Sequence, residues 1–428
     1  MSSQECRLFT LSKTASEYVK NCRMLNGELK TIVDTDKLNI SLLQNSTAFF
    51  KDKSVVCNVH DCSPIRKAES KVLDGLGKVK SLNNSLISGY DTFNSVMIDV
   101  EGSSLRLLSC TPFSNGVESF VSLAERKLVE TGQLKDKERV KKIAEYDECG
   151  ESHNQKSVIF KQLRAISAHL KAEKPDLMVI DIFDRGFDDT ELFELETELG
   201  HEFIVRAKGN RNSNEMFIDD KGVEKAVKLA KQRFFKGDEI VFEQISFRGK
   251  KYAQAKGTFE WNEAEIKGKM YSVLRVAFYQ KSGKRVFKDD MLIITSLTIN
   301  DLVMAQLVWE LYMQRSKIEN VFKFCKQELN WEAPRMDDWT TMKNLLSLVY
   351  FVAGYFFEIE HQLTQDPNTQ WLATLGGGKG KVTIHFLLKG IAKFINYLEM
   401  KNFIQERNIS EQDIQEAINT YSFAFKNL

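Results

Sequence analysis

Apolar positions along the chain follow two periods. Near-continuous valine- and isoleucine-rich runs at SVVCNVHD (54–61) and DLMVIDIF (176–183) predict strands buried on both faces. The first is followed by Cys62-Ser63-Pro64, and the proline predicts a strand end near Asp61; the second stops at Asp184-Arg185-Gly186. Between them TFNSVMIDV (92–100) and SLRLLSC (104–110), joined through Glu101-Gly102, predict antiparallel neighbours. Residues 1–50 read as short helices around Leu38, Ile40, Leu42 and Leu43. Residues 116–173 read as helix, from Val121, Leu123, Leu128, Ile143, Leu163 and Leu170. Past EFIVRAKGNR (202–211), residues 212–299 carry the β-rich segments EIVFEQISF, YSVLRVAFY and MLIITSL between Gly and Lys. From Asn300 the pattern is helical to the end, broken by LGGGKGK (375–381). The predicted organisation is a helical region at 1–52 and an α/β core in two pieces, 53–211 and 300–360. A β-rich insertion at 212–299 separates the two pieces, and a helical region at 361–428 follows.

Composition narrows the class. With 60 Lys+Arg against 59 Asp+Glu, bulk charge does not drive binding to nucleic acid or membranes, so any such partner is gripped by local patches. One patch is 221–256, which holds ten Lys/Arg against four Asp/Glu. The seven cysteines are scattered and no CxxC pair occurs, which argues against zinc and for a reduced, cytosolic compartment. The first twenty residues have no apolar core of a signal peptide. The longest apolar run, Leu345 to Phe357, falls short of the ~20 residues that span a bilayer, so a buried helix and no membrane are expected.

The stretch YMQRSKIENVFKFCK carries the candidate chemistry. On one continuous helix Tyr312, Arg315, Glu319 and Lys326 share a face about 60° wide, while Ile318, Val321 and Phe322 make much of the rest apolar. The plain alternative is a solvated face with i,i+4 ion pairs. The spacing Tyr-x2-Arg-x3-Glu-x6-Lys resembles the Tyr-Arg-Glu-Lys signature of DDE transposases of bacterial insertion sequences. The strand-to-helix approach MLIITSLTIND and the segment DRGFDD…FIVRAKGNR resemble the same family, over roughly residues 53–390. The resemblance implies a ribonuclease H-like fold: a mixed α/β sheet flanked by helices, interrupted by a β-rich insertion domain. It also implies three carboxylates holding two Mg²⁺ or Mn²⁺ ions, the hard-ligand arrangement suited to in-line phosphoryl transfer.

Glu319 is then the third carboxylate. For the second, Asp184 at the strand's end, followed by Arg185, fits the family pattern better than Asp181, which faces the other way and reads as structural. For the first, Asp61 is preferred to Asp99. Parallel first and fourth strands would end Asp61 and Asp184 at one edge, leaving Asp99 seven or eight residues away at about 3.3 Å each. His60 points to the face opposite Asp61 and reads as a packed histidine. The expected triad is Asp61, Asp184 and Glu319.

The resemblance further implies DNA contacts from Tyr312, Arg315 and Lys326, with Arg185, Arg206, Lys208 and Arg211 as additional candidates. Ordinary solvation is the plain reading of Lys208 and Arg211. Met291 stands where some relatives carry a base-stacking tryptophan, and core packing is an equal reading for it. The implied activity is cut-and-paste transposition on double-stranded DNA, transposon ends and target alike, by a homodimer built in part on 361–428. A binding-only derivative and a metal-dependent nuclease stay open as alternatives. The implied location is the bacterial cytoplasm, at the nucleoid.

Overall fold

The structure, a computed structural model, describes residues 33–114, 155–365 and 370–415, except 71–72, 74, 219–222, 233, 238, 248–249 and 337, and also residues 25 and 131–133. Of the helix expected over 116–173, residues 116–130 and 134–154 lie outside the described residues, as do most of the first thirty-two residues. The chain divides into two compact units, 5–354 and 355–428, the division falling inside one long helix.

In the first unit, helix α1 (Thr35–Phe49) precedes strands β1 (Val55–Arg66), β2 (Gly77–Lys80), β3 (Leu86–Ile98) and β4 (Leu105–Phe113). Helix α2 (Gln155–Glu173), β5 (Met178–Phe183), α3 (Thr190–Leu199) and β6 (Glu202–Arg206) follow. Next come β7 (Asn212–Ile218), β8 (Glu224–Lys228), β9 (Phe235–Lys236), β10 (Ile240–Phe247), β11 (Lys250–Ile266), β12 (Lys269–Tyr279) and β13 (Met291–Thr295). Helices α4 (Leu302–Met313), α5 (Ser316–Gln327) and α6 (Trp339–Gln365) complete the series. One eleven-stranded sheet runs β10-β11-β12-β13-β6-β5-β1-β3-β2, with β4 on β3 and β9 on β11, while β7 and β8 pair by themselves. Strands of the β-rich segment therefore extend the same sheet, joined where β13 pairs antiparallel with β6.

The centre of this sheet is parallel. β1 pairs with β5 in the register Val55↔Met178 to His60↔Phe183, and β5 pairs parallel with β6. β3 runs antiparallel to β1, and also to β4, as the short β3–β4 connection requires. Helices cover both faces, the layering expected of a sheet whose central strands are apolar throughout. The α2 and α3 side holds Phe93, Phe183, Leu163, Leu192, Phe193 and Phe203 in one buried cluster. On the opposite side α5 packs on β1, and α4 on β5 and β6. Mixed sheet, flanking helices and strand order agree with a ribonuclease H-like fold.

Two expectations need correction. β1 does not end near Asp61 but continues through Pro64 to Arg66, paired with β3 as far as Arg66↔Gly89. Beyond His60 it has no β5 neighbour, and a proline is tolerated on a strand with one open side. Gly89 allows that extension, since a Cβ there would sit 2.5 Å from the Ile65 carbonyl oxygen. The helix expected over 312–326 is two helices, α4 and α5, joined at Gln314-Arg315. The turn between them is tightened by i→i−3 bonds from Gln314 N–H to Leu311, Arg315 to Tyr312 and Lys317 to Gln314.

Local chemistry sets the helix ends. Asp34, Asp189 and Asp301 cap α1, α3 and α4 through their carboxylates, and Gly200, at φ +67°, closes α3 in the left-handed conformation. Residues Trp339–Gln362 of α6 are long and apolar enough to cross a membrane. Within the first unit, however, this helix is a core element. Asn344 and Ser347 are buried and hydrogen-bonded to Thr35, and Tyr350 is buried with its hydroxyl donating to the Ser95 carbonyl at 3.1 Å.

The second unit contains the end of α6, α7 (Gln370–Leu375) and α8 (Ile384–Glu406). α7 and α8 cross at glycines: a Cβ on Gly390 would lie 1.8 Å from the Leu372 carbonyl oxygen, and one on Gly376 1.9 Å from that of Phe386. Gly390→Ala is therefore expected to destabilise this helix pair by about 1–3 kcal/mol. Hydrogen exchange should speed up across 370–406 and stay unchanged in β1.

Candidate active site

The site begins at the ends of two parallel strands. Because His60 lies beside Phe183, where the pairing of β1 with β5 ends, the next residues, Asp61 within β1 and Asp184 just past β5, lie at the same level. Asp61 sits on the face opposite His60, toward α5. Its Oδ1 accepts the Cys62 N–H at 2.8 Å. Asp184 caps the 3₁₀ turn Arg185–Phe187, its Oδ1 accepting from the Gly186 N–H. The sequence DRGF folds this way because a carboxylate at a strand's end can satisfy an orphan amide of the turn that follows.

The turn between α4 and α5 delivers the third carboxylate and a cation. Arg315 Nη1 reaches Asp61 Oδ2 at 2.9 Å, and its Nη2 binds Glu319 Oε1 one turn further along α5. Burial pushes the Asp61 carboxyl up to about 7; Arg315 opposes this, and the charges of Asp184 and Glu319 add to it. The charges of Asp184 and Glu319 thus both act on Asp61, with one guanidinium between Asp61 and Glu319. Tyr312, on the last turn of α4, is buried, which raises its phenol, while the charges of Arg315 and Arg206 lower it and that of Asp184 raises it.

Acidic groups whose charges act on one another, with one guanidinium paired to two of them, are an incomplete electrostatic arrangement. Their hard oxygens suit a divalent ion such as Mg²⁺ or Mn²⁺, whose charge would offset the repulsion.

Comparison with known families adds the decisive observation. Residues 154–353 match the transposase DDE domain. The matched stretch is just under half of the chain, and it supports a DDE transposase family for this protein. It includes Asp184, Tyr312, Arg315, Glu319 and Lys326, and ends within α6. Asp61 lies outside it; the pairing of β1 with β5 sets it at the level of Asp184, and the Arg315 ion pairs link it to Glu319. No curated protein matches the chain.

The remaining candidates fall in different surroundings. Asp99 is remote, five residues along β3 from Asn94, the partner of Asp61, or about 16 Å. That is nearer than seven or eight residues, but still outside contact range. Its carboxylate instead accepts from Ser103 and the Ser104 N–H, closing the β3–β4 turn; these bonds hold it below the usual range despite its burial. Lys326 donates to the Pro64 carbonyl at 2.8 Å and faces Glu332. Lys208 and Arg211 both turn onto Asp188. The Lys208 N–H donates to Asp188 Oδ2 at 2.7 Å and its Nζ to the Asp188 carbonyl at 3.0 Å, while the Arg211 guanidinium pairs with Oδ1. Asp188 was not singled out from the sequence, although DRGFDD contains it; its role is to tie the 208–211 loop to the turn that carries Asp184. Arg185 is exposed. Met291 is buried on β13 opposite Val276.

Beneath the carboxylates, on the other face of the sheet, lies a second group of polar residues. Asp181 is buried and accepts from Asn58 Nδ2 at 2.9 Å; it also bonds His60 Nε2 at 3.0 Å and His201 Nδ1 at 2.6 Å. His60 continues to Ser95 at 2.7 Å, and Gln162 donates to the same hydroxyl at 2.8 Å. Asp181, Glu196 and His201 are of the residue types, and close enough, to hold a metal ion. Both Asp181 oxygens are already engaged, however, and a proton serves the remaining acid. Burial raises the Glu196 carboxyl well above its ordinary range and the Asp181 charge raises it further, so it is protonated beside an ionised Asp181. Burial alone would raise Asp181 too, but His201 and His60 hold it well below the usual carboxylate range. This group is a buried brace joining β1, β5 and α3, distinct from the carboxylates at the strand ends.

The brace makes a prediction with a definite sign. A carboxyl whose folded pKa is raised contributes stability that is complete below its unfolded pKa and is lost as pH rises. Glu196→Gln should therefore melt with the wild type near pH 4.5 and above it at pH 8. Asp181→Asn, which strips an anion from two histidines, should cost about 3–5 kcal/mol. Thermal melts across this pH range check both.

Proposed function

We propose that this protein is a transposase that cuts DNA at the inverted-repeat ends of a mobile element and joins the freed ends to target DNA. The observation that supports the reading is the Arg315 bridge between Asp61 and Glu319, with Asp184 following β5 at the level of Asp61, in a chain whose 154–353 segment matches a transposase DDE domain. In this reading Asp61, Asp184 and Glu319 hold two divalent ions. Bound there, Mg²⁺ or Mn²⁺ supplies Lewis-acid activation of the attacking oxygen and offsets charge on the phosphorane-like transition state. The protein's own groups position the DNA. Arg315, beside Asp61 and Glu319, would pair bidentately with a phosphate beside the cut. Tyr312 and Arg206 line the same cleft, with Lys326 further along α5. Arg185, exposed beside Asp184, contacts the strand near the break; Lys208, Arg211 and Met291 contribute more through shape than through free charge.

The substrate is double-stranded DNA, with transposon ends and target handled in turn. Two ends are held by a homodimer whose contacts involve residues 361–428, and residues 1–52 contribute to DNA binding. The working domains are 53–211 and 300–360 for catalysis, with 212–299 as the insertion. Such a protein acts on the chromosome in the bacterial cytoplasm.

The test uses single substitutions that keep shape and remove charge. Asp61→Asn, Asp184→Asn and Glu319→Gln should each lower Mg²⁺-dependent nicking of a plasmid carrying the element's ends by roughly 10³-fold, the several kcal/mol that a metal site contributes. Asp99→Asn should leave nicking within about threefold of wild type. Gel separation of nicked, linear and joined products distinguishes the outcomes. Cleavage of end-free DNA without joined products would replace transposition by nuclease action. Full nicking by Asp61→Asn would remove that residue from the triad.

A further inference from the structure

Past the carboxylates, each element that carries one continues to a cation. β1 runs from Asp61 to Arg66, and α5 from Glu319 to Lys326. Both cations reach one acid in the loop after α5. Arg66 Nη1 and Lys326 Nζ each lie 3.4 Å from the same oxygen, Glu332 Oε1, and the Arg66 N–H lies 3.5 Å from it. Fitted charge-assisted bonds are about 2.7–2.9 Å long. Glu332 is thus shared loosely among three donors and well bound by none.

The surroundings are positive. Behind Glu332, Lys67 is buried and its ammonium donates to the Glu332 carbonyl at 2.5 Å and to that of Pro334, which fixes the loop. Burial, with the charge of Arg335, brings Lys67 down to about 8. Lys326 is lowered as well: burial and the nearby Arg66 outweigh Glu332 and Asp91. Arg66, Lys67, Lys326 and Arg335 therefore face two acids, Glu332 and Asp91. Side-chain exposures of 25% for Arg66, 20% for Lys326 and 32% for Glu332 leave all three half-buried yet open to solvent. A partly desolvated excess of cations around one weakly held carboxylate is the arrangement that a tetrahedral anion with more oxygens would complete.

We infer that Arg66 extends the DNA contact already given to Lys326 into a phosphodiester-binding site on which Glu332 is the resident counter-ion, displaced when a DNA backbone phosphate arrives. The inference rests on the DNA-processing reading above and adds a contact outside the catalytic carboxylates. Seven residues of helix from Glu319 to Lys326 cover about 10 Å, and five residues of strand from Asp61 to Arg66 about 16 Å. At about 3.4 Å per nucleotide the site grips a phosphate roughly three to five nucleotides from the one being cut. Such a grip would fix the register of the duplex without reading its bases.

The experiment measures binding of the full-length protein to a fluorescein-labelled 30-base-pair duplex of arbitrary sequence, by anisotropy, from 50 to 300 mM KCl without divalent ions. Glu332→Gln should tighten binding about 3–10-fold at the lowest salt. Arg66→Ala should weaken it about 3–10-fold and reduce the slope of log Kd against log salt by about 1. Thermal melting establishes that each variant is folded; where Arg66→Ala is not, Arg66→Gln keeps the stem and carries the same expectation. The site is overturned if Arg66→Ala keeps the wild-type affinity and slope, or if Glu332→Gln binds no tighter than wild type. In either case Glu332 is only a structural tie between β1 and α5. A wild-type protein with no salt-dependent affinity for the duplex would overturn the DNA-processing reading itself.

Discussion

Parallel pairing of β1 with β5 is the constraint on which the rest of the site depends. The side-chain period of a strand is two, so a slip of one residue would send Asp61 to the α2 face and bring His60 to the cleft. Asp181 opposes that slip. It sits in the interior of β5 and binds Asn58 and His60 of β1 on one side and His201 at the start of β6 on the other. Moving either strand would leave an ionised carboxylate buried without donors, which costs far more than the loss of an apolar contact. The register that aligns Asp61 with Asp184 is thus held by polar groups on the opposite face. Stacking of His60 between Phe93 and Phe183, at 5.7 and 4.8 Å, seats the imidazole in the apolar layer.

At the strand ends the electrostatic balance is reversed. The brace below surrounds ionised Asp181 with three donors, whereas the carboxylates above are short of positive charge, with Arg315 bridging two of them. Functional sites are where such imbalance persists, because the missing charge arrives with a ligand. The same logic extends along β1 and α5 with the sign inverted: cations outnumber acids around Glu332. A cleft that is acidic at one end and basic further out matches a substrate whose reacting phosphate meets metal ions while its flanking phosphates meet side chains.

Sequence alone disclosed these features unevenly, for physical reasons. Asp61 and Asp184 were legible because buried parallel strands read as uninterrupted apolar runs, and polar residues that end them stand out. Glu319 and Arg315 were legible through spacing, although the helix carrying them is broken at Gln314-Arg315; an i→i−3 turn rotates the chain too little to erase a helical pattern. The extension of β1 past Pro64 was not legible, since a proline's tolerance depends on whether a neighbouring strand lies on that side. Glu196, His201 and Glu332 were invisible because each acquires its role from partners distant in sequence: Glu196 beside Asp181, and Glu332 beside Arg66, which is 266 residues away. Long-range electrostatics leaves no periodicity to read.

Lys208 and Arg211 show why charge in a sequence is a weak guide to nucleic-acid contact. Both lie in the basic segment just after β6, yet their donors converge on buried Asp188, and the Arg211 guanidinium lies over the Phe193 ring at 5.2 Å. A cation so engaged adds little to the field outside, but it determines where a loop sits. Here that loop is held to the segment following Asp184, so these residues bear on the geometry of the carboxylate more than on the phosphate. Arg66, by contrast, reads in the sequence only as the start of a basic stretch past the proline expected to end its strand. It is the continuation of β1 that carries this side chain to the same acid as Lys326. Whether a basic residue serves structure or substrate is decided by how well its counter-ion is bound: tightly at Asp188, loosely at Glu332.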